Sequence, residues 1–230
     1  MKKILAAVAM AAVVAAGASA FTFEASAGFG YGFSDLTQKD DSNKTERIDN
    51  ALGVKLEGTL GITDNLGIQL DTAFLWPTKG TTIKVSDTDG NNTTENTIDY
   101  DGAFVFNGFI GPVYTFNVNK DFSVKVGAGF DLAFNSYNTV VDDTKVLGLT
   151  VNGYKDTYSY MSYGIGATVD ADYMVNKNMG VKVGLTFGYL WGNQYQYTHA
   201  VNEGDTSTST KDFEANGLYL IPDFSFVYKF

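Results

Sequence analysis

The feature that most constrains this chain is a strict alternation of bulky apolar residues with small or polar ones. It is clearest over 180–196, where large apolar residues alternate with glycine, threonine and lysine. The large residues are Val181, Val183, Leu185, Phe187, Tyr189 and Trp191. A period of two residues is that of a β-strand, because successive side chains point to opposite faces of a sheet. The pattern recurs along the chain, so strands rather than helices are predicted to build the fold.

Eight alternating segments are predicted as strands. They lie near 21–36, 47–62, 66–76, 98–118, 122–137, 157–175, 180–196 and 212–230. Three connections are short and centre on Asp64, Lys120 and Lys177. The other four are rich in threonine, asparagine and aspartate and are predicted to be long loops, over 37–46, 77–97, 138–156 and 197–211. Short turns at one end and long loops at the other are typical of transmembrane β-barrels.

After residue 20 no apolar stretch approaches the roughly 20 residues that a membrane-spanning helix needs. A chain that crosses a membrane without such helices must close its strands into a barrel, because lipid cannot satisfy unpaired backbone groups. The interior of an eight-stranded barrel is just wide enough for side chains of ordinary size to fill it, so the rows of bulky residues do not fit inside. We therefore predict an all-β fold, an antiparallel up-and-down transmembrane barrel, with the bulky faces towards lipid and the glycine-and-charge faces towards the lumen. A soluble barrel with the reverse arrangement is the alternative.

The first 20 residues have the organisation of a secretory signal. Lys2 and Lys3 precede an apolar run, and Ala18-Ser19-Ala20 fits the small-residue cleavage rule. We predict a cleaved signal peptide over 1–20 and a barrel over 21–230. Without Lys2 and Lys3 the chain has 14 basic and 26 acidic residues, a net charge of −12, which argues against nucleic acid as a partner. It has no cysteine, so neither disulfides nor thiolate metal sites are expected.

The last predicted strand ends in an aromatic row. This row is Phe226, Tyr228 and Phe230. It resembles the C-terminal signal by which the barrel-assembly machinery recognises bacterial outer-membrane barrels. With the signal peptide, the eight strands and the alternating connection lengths, it makes the chain similar to the small outer-membrane barrels of the OmpA transmembrane-domain, OmpX and OmpW type. The resemblance implies a place in the bacterial outer membrane. It implies as partners the barrel-assembly machinery and outer-membrane lipid, including lipopolysaccharide or an equivalent, and it names no external ligand.

The predicted lumen-facing positions carry charges of both signs, mostly in the half of the barrel near the short turns. They are Glu24, Lys55, Glu57, Asp71, Lys125, Asp131, Lys182 and Asp223, with Asp170, Asp172 and Lys229 on the same faces. Buried charges must pair or stay hydrated. The first interpretation is a salt-bridge network that holds the barrel closed. The alternative is an ion path lined by acidic groups.

The lumen-facing positions nearer the long loops are largely apolar. They are Leu75, Val105, Phe109, Leu190, Tyr219 and Ile221. Pro112 and Pro222 interrupt the fourth and eighth segments, and each lacks a backbone donor that the ladder of a closed barrel needs. We expect a bulge at each proline and a dry plug of side chains. The alternative is an apolar pocket that opens through the weakened wall, which resembles the route proposed for small apolar solutes in OmpW-type barrels.

No set of residues has the spacing of a catalytic or metal site. His199 is the only histidine and lies near Glu203, Asp205 and Ser207, but nothing at fixed spacing provides a nucleophile, a base and an orienting group. The segment 87–91 begins like a calcium loop but lacks the glutamate required at its twelfth position. We expect no cofactor, no metal and no enzymatic activity. The predicted role is structural or surface-interacting; the alternatives are a narrow OmpW-like channel for small apolar or weakly polar solutes and a lipid-modifying enzyme.

Overall fold

The computed structural model describes residues 21–39, 43–78, 81–87, 93–98, 102–141, 144–146, 149–151, 154–202 and 205–230. The predicted signal peptide over 1–20 and the candidate residue Glu203 lie outside these ranges. The strands of the described ranges are β1 (Thr22–Lys39), β2 (Asn43–Gly61), β3 (Leu66–Pro77), β4 (Thr81–Asp87), β5 (Thr93–Ile98), β6 (Ala103–Asn117), β7 (Phe122–Val141), β8 (Thr144–Val146), β9 (Leu149–Val151), β10 (Tyr154–Met174), β11 (Met179–Asn202) and β12 (Asp205–Lys229). None of the described residues belongs to a helix long and apolar enough to cross a membrane.

Eight of these strands close into one antiparallel barrel. Their order around the wall is β1-β12-β11-β10-β7-β6-β3-β2, and β2 pairs with β1 to complete the circle. Each wall strand therefore lies beside the wall strands that precede and follow it in the chain. The predicted up-and-down barrel is confirmed.

The two faces of the wall differ as the volume argument predicts. Outward residues such as Phe29 and Phe130 are 69% and 73% exposed, and the outer surface at this level consists of large apolar side chains. Inward residues such as Lys182, Asp170 and Thr168 have no exposed surface at all. Glycine, threonine and charged residues thus line the lumen, and the apolar face is the one available to lipid.

The four long connections contain more strand than predicted. β4 and β5 form a hairpin that occupies most of 77–97, ends at Ile98 and extends the sheet by pairing with the start of β2. β8 and β9 form a small separate hairpin within 138–156. Most of 37–46 and 197–211 is also strand. Threonine is β-branched and suits strands, so its abundance here favoured extended pairing rather than loop. β11 and β12 reach 24 and 25 residues, whereas a transmembrane strand needs about 9–11.

The same pair of side-chain-to-backbone hydrogen bonds stabilises each of the three short connections. Thr63 Oγ1 accepts hydrogen bonds from backbone N–H groups two and three residues ahead, at 3.3 and 3.0 Å. Asn119 Oδ1 and Asn176 Oδ1 do the same, with all four distances at 2.9 Å. Such side chains imitate a backbone turn and fix where each strand reverses.

The bulges expected at the prolines are absent. β6 and β7 keep one register from Ile110 to Val113 across Pro112, and β11 pairs with β12 without a shift at Pro222. The register shifts of the described wall lie elsewhere, one of them between Gly192 and Gln194. The prediction was wrong because both proline rings point outward, so the loss is one ladder donor and no residue has to be inserted.

Candidate functional site in the barrel lumen

Three lysines enter the lumen in the half of the barrel near the short turns. Lys55, Lys125 and Lys182 project from β2, β7 and β11 and are at most 2% exposed. Removing an ammonium ion from water costs several kcal/mol, about what a close carboxylate and further hydrogen bonds return. Inward-facing lysines on three separate strands therefore require acidic partners from the rest of the wall.

Lys55 has partners on three other strands. Its ammonium lies 2.7 Å from Asp223 Oδ1 and 3.5 Å from Asp71 Oδ2, and it donates to Thr186 Oγ1 at 2.9 Å. Asp223 also accepts a 2.9 Å bond from the Ser225 hydroxyl. β2, β3, β11 and β12 are thus joined through one ammonium group.

Lys125 and Lys182 meet at a shared carboxylate. Lys125 pairs with Glu24, lies 2.8 Å from Asp172 Oδ2 and lies 4.0 Å from Glu57 Oε1. Lys182 pairs with the other oxygen of Glu57. These contacts span β1, β2, β7, β10 and β11, so the second cluster crosses the lumen.

A neutral side chain sits between two carboxylates of this network. Gln69, which is fully buried, donates from Nε2 to Asp71 Oδ1 at 2.9 Å and to Asp170 Oδ2 at 3.1 Å. The ionic network of the described lumen therefore comprises Lys55, Lys125, Lys182, Glu24, Glu57, Asp71, Asp170, Asp172 and Asp223 with Gln69, Thr186 and Ser225 as neutral members. Sequence reasoning placed Thr186 in the lumen near acidic residues but missed Gln69 and Ser225, although their inward position in the alternation was the signal that could have found them.

Asp131 does not join the network, contrary to expectation. It is 3% exposed and faces Tyr219 higher in the lumen, and no salt bridge of the described residues includes it. Its strand position explains the separation, because it lies six residues further along β7 than Lys125. Lys229 contacts Glu24 at 3.3 Å but is partly exposed at the mouth.

Above the network the lumen is filled by apolar side chains. This plug consists of Ala51, Ala73, Leu75, Ala133, Leu190, Tyr219 and Ile221, with Val105 packed against it. A cavity of about 40 Å³ remains beside these side chains, and the buried Asn107 and Asn135 also border it. Phe109 was expected to line the same space; it is buried, but it does not border the cavity. At the mouth near the short turns a vestibule of about 220 Å³ ends on Glu24 and Lys125.

A larger apolar groove lies on the outer face of the wall. It has a volume of about 880 Å³ and runs across β7, β10, β11 and β12 to β1. Phe33 and Tyr219 border both this groove and the plug cavity. These two residues therefore lie between the two spaces.

The candidate histidine lies on β11, near the end opposite the short turn. His199 Nδ1 is 2.6 Å from Asp156 Oδ1 on the neighbouring strand, and Ser207 is opposite His199 in the pairing of β11 with β12. Asp205 instead pairs with Asn202 at the tip. The described residues contain no group of three or more acidic or histidine side chains that could hold a metal ion.

The aromatic row of the last strand points outward. Phe226, Tyr228 and Phe230 are 67%, 43% and 72% exposed. Phe230 also donates its backbone N–H to Phe23 O at 2.9 Å, and the centroids of the two rings are 5.4 Å apart. The row therefore continues the apolar outer surface to the rim near the short turns.

A closed eight-stranded barrel with an apolar outer wall and a polar lumen is a multi-pass β-barrel protein of the bacterial outer membrane. The family described as "Domain of unknown function (DUF2715)" matches residues 15–220, and the chain belongs to that family. No curated protein matches the sequence.

Solved structures share this fold at low sequence identity. The outer membrane protein OprG from Pseudomonas aeruginosa is 14% identical with a TM-score of 0.56, the match covering 92% of this chain and 96% of that one. A major outer membrane protein from Thermus thermophilus is 16% identical with a TM-score of 0.62, covering 92% and 100%. At these identities the likeness extends to the fold alone.

Proposed function

We propose that this protein is a closed outer-membrane barrel with a structural and surface-presenting role. The observation that carries the proposal is the filled lumen: buried lysines tie carboxylates from most of the wall together, and an apolar plug lies above them. The cavity left inside the plug, about 40 Å³, has room for about one water molecule. A lumen of this kind favours a role in the membrane wall and at the cell surface over permeation.

The wall extension supports the surface part of the proposal. β11 and β12 continue well beyond the about 9–11 residues that cross a membrane, so paired strands carry residues outside it. We propose the barrel-assembly machinery as a partner for the outward aromatic row of β12, and outer-membrane lipid, including lipopolysaccharide or an equivalent, as the partner of the apolar wall.

Planar-bilayer recording tests the closed-barrel proposal. Purified protein, folded into lipid, should give no regular conductance steps, whereas a porin prepared in the same way should. The vestibule at the mouth near the short turns should not matter, because it ends on the Glu24–Lys125 pair. Reproducible conductance steps from the wild-type protein would overturn the proposal.

A narrow channel for small apolar solutes is the second candidate, and one feature of the wall favours it. The pairing of β1 with β12 skips Tyr31 and Gly32, which lie opposite Pro222 and Ile221, directly beside the plug cavity and the outer groove. A gap in the ladder at this place would be the route by which a solute leaves sideways.

A reversible cross-link across this seam tests the channel. The chain has no cysteine, so Tyr31→Cys with Pro222→Cys places a single pair at the gap, and Ala27→Cys with Phe226→Cys places a control pair where the same two strands are bonded. If solutes leave through the seam, oxidising the first pair should stop uptake of an apolar tracer into vesicles, and reduction should restore it. Equal uptake with both pairs, oxidised or reduced, would reject the channel.

A further inference from the structure

The outer groove is built by two small residues in a row of large ones. Direct neighbours across the wall run Ala128, Ala167, Phe187, Leu220 and Phe33, from β7 to β1. The next outward row holds Phe130, Ile165, Tyr189 and Leu218, which form the other side of the groove. Between the rows lies the backbone of Gly129, Gly166 and Gly188, whose missing side chains would have pointed into the lumen.

The row of direct neighbours is inclined to the plane of the membrane. Four strand spacings of about 4.8 Å make the row about 19 Å long. Because the strands of such barrels tilt by about 40°, the row climbs about 12 Å across the membrane, about half of an apolar band of about 25 Å. Ala128 lies in the middle of the outward apolar run of β7, whereas Phe33 is the last outward apolar residue of β1 before the exposed Asp35. The groove therefore runs from the midplane to the outer boundary.

We propose that this groove binds one acyl chain of an outer-leaflet lipid as a specific ligand. Its walls are apolar side chains, its floor is backbone, and its depth and slope match one leaflet. At its upper end the polar groups begin, with Asp35 and with Asn50, which accepts a 2.7 Å hydrogen bond from the Tyr31 hydroxyl. The headgroup would lie there. The occupant is the acyl chain of a membrane lipid, and the two lipids of the test below distinguish a phosphate-ester head from a glycan head.

The two tryptophans of the chain provide a probe and its control. Trp191 packs its ring 5.1 Å from Tyr189, which lines the groove. Trp76 is exposed on β3, which lies four strands away from β11 in either direction around the barrel. Trp76→Phe leaves only the probe beside the groove, and Trp191→Phe leaves only the probe on the opposite wall.

Quenching by lipids with brominated acyl chains tests the site in nanodiscs. The full chain is titrated once with brominated phosphatidylcholine and once with a brominated galactolipid, each against its unbrominated form. Trp191 should reach half-maximal quenching at about tenfold lower mole fraction than Trp76 with at least one of the two lipids. That lipid identifies the head, and preference for either one supports the site.

Two matched variants decide whether the groove causes the preference. Ala167→Phe fills the groove and should make the Trp191 and Trp76 curves coincide, whereas Ala171→Phe, outward on the same strand below the groove, should leave the difference unchanged. Coincident Trp191 and Trp76 curves from the two single-tryptophan variants with Ala167 unchanged, and with both lipids, would overturn the proposal. So would a wild-type dimer that Ala167→Phe dissociates, since this face would then join two copies. Neither result affects the closed-lumen proposal, which conductance tests separately.

Discussion

The two halves of the lumen are closed by opposite means on one continuous wall. Near the short turns, lysines with at most 2% exposure bind carboxylates from other strands. Nearer the outer surface, leucine, isoleucine, tyrosine and alanine pack against each other with little space between them. The strands and the alternation are the same in both halves, so the difference lies only in which side chains the inward positions carry.

This contrast predicts that substitutions destabilise the two halves of the lumen for different reasons. Removing one partner of a buried ion pair leaves a charge without compensation, and the cost depends on the partner that remains. Shortening a buried apolar side chain costs the lost burial and the cavity it leaves, and no partner is left charged. The ionic half should therefore respond to paired substitutions, and the apolar half to substitutions that refill the volume.

The largest loss of stability is expected from Lys182→Met. Lys182 is fully buried, and its loss leaves Lys125, at 4.0 Å, as the one salt-bridge partner of Glu57 among the described residues. The free energy of unfolding should fall by about 3–5 kcal/mol in a urea titration in lipid vesicles. Lys120→Met, on an exposed turn, is the control and should change little.

The double variant Lys182→Met with Glu57→Gln sharpens this prediction. Neutralising both partners removes the uncompensated charge, so part of the lost stability should return. A double variant as unstable as the sum of its two single variants would show that the pair contributes as packing volume and not as charge.

Leu75→Ala should come next, with a loss of about 2–4 kcal/mol in the same titration. Leu75 is buried in the plug, and a side chain added at Gly32 would approach its Cδ1 to 2.6 Å. Gly32→Ala alone should therefore lower the free energy of unfolding. Combined with Leu75→Ala, it should restore part of the stability that Leu75→Ala loses. Strictly additive effects would contradict the view that the plug responds to volume.

Gln69→Met should lower the free energy of unfolding by about 2 kcal/mol, because two hydrogen bonds to carboxylates are lost while the side-chain volume is nearly kept. Gln69 separates Asp71 from Asp170, and its amide donates to both. Gln196→Met, exposed on the outer extension, is the matched control. If the two variants were equally stable, the neutral bridge would contribute nothing to the network.

The wall was predictable from sequence because a period of two leaves little freedom: the bulky face of an eight-stranded chain does not fit inside its barrel. The same rule placed Lys55, Lys182, Leu75 and Ile221 on the inner face. Depth and partners were not predictable, since pairing in the lumen depends on the register between strands that are distant in sequence. Asp131 was therefore grouped with Lys125, although six residues of the same strand separate the two.

The groove was missed for a related reason. Ala128 and Ala167 are ordinary small residues in their own strands, and they form a notch only because β7 and β10 pair them directly. Threonine-rich stretches were assigned to loops because their partners, such as Thr208 opposite Thr198, become visible only once the strands are aligned. Their hydroxyl groups are 3.2 Å apart.

The smallest change in stability is expected at Asp131, where a substitution should stabilise the protein instead of destabilising it. Its carboxylate lies between the two halves, faces Tyr219, and has no ammonium partner among the described residues. Burying a charge without a partner costs stability, so Asp131→Asn, which keeps the shape, should raise the free energy of unfolding by about 1 kcal/mol. Asp223→Asn is the matched control, because Asp223 lies 2.7 Å from the Lys55 ammonium and its neutralisation should destabilise. If both substitutions destabilise alike, Asp131 belongs functionally to the ionic half, and the boundary between the two closures must be moved outward past it.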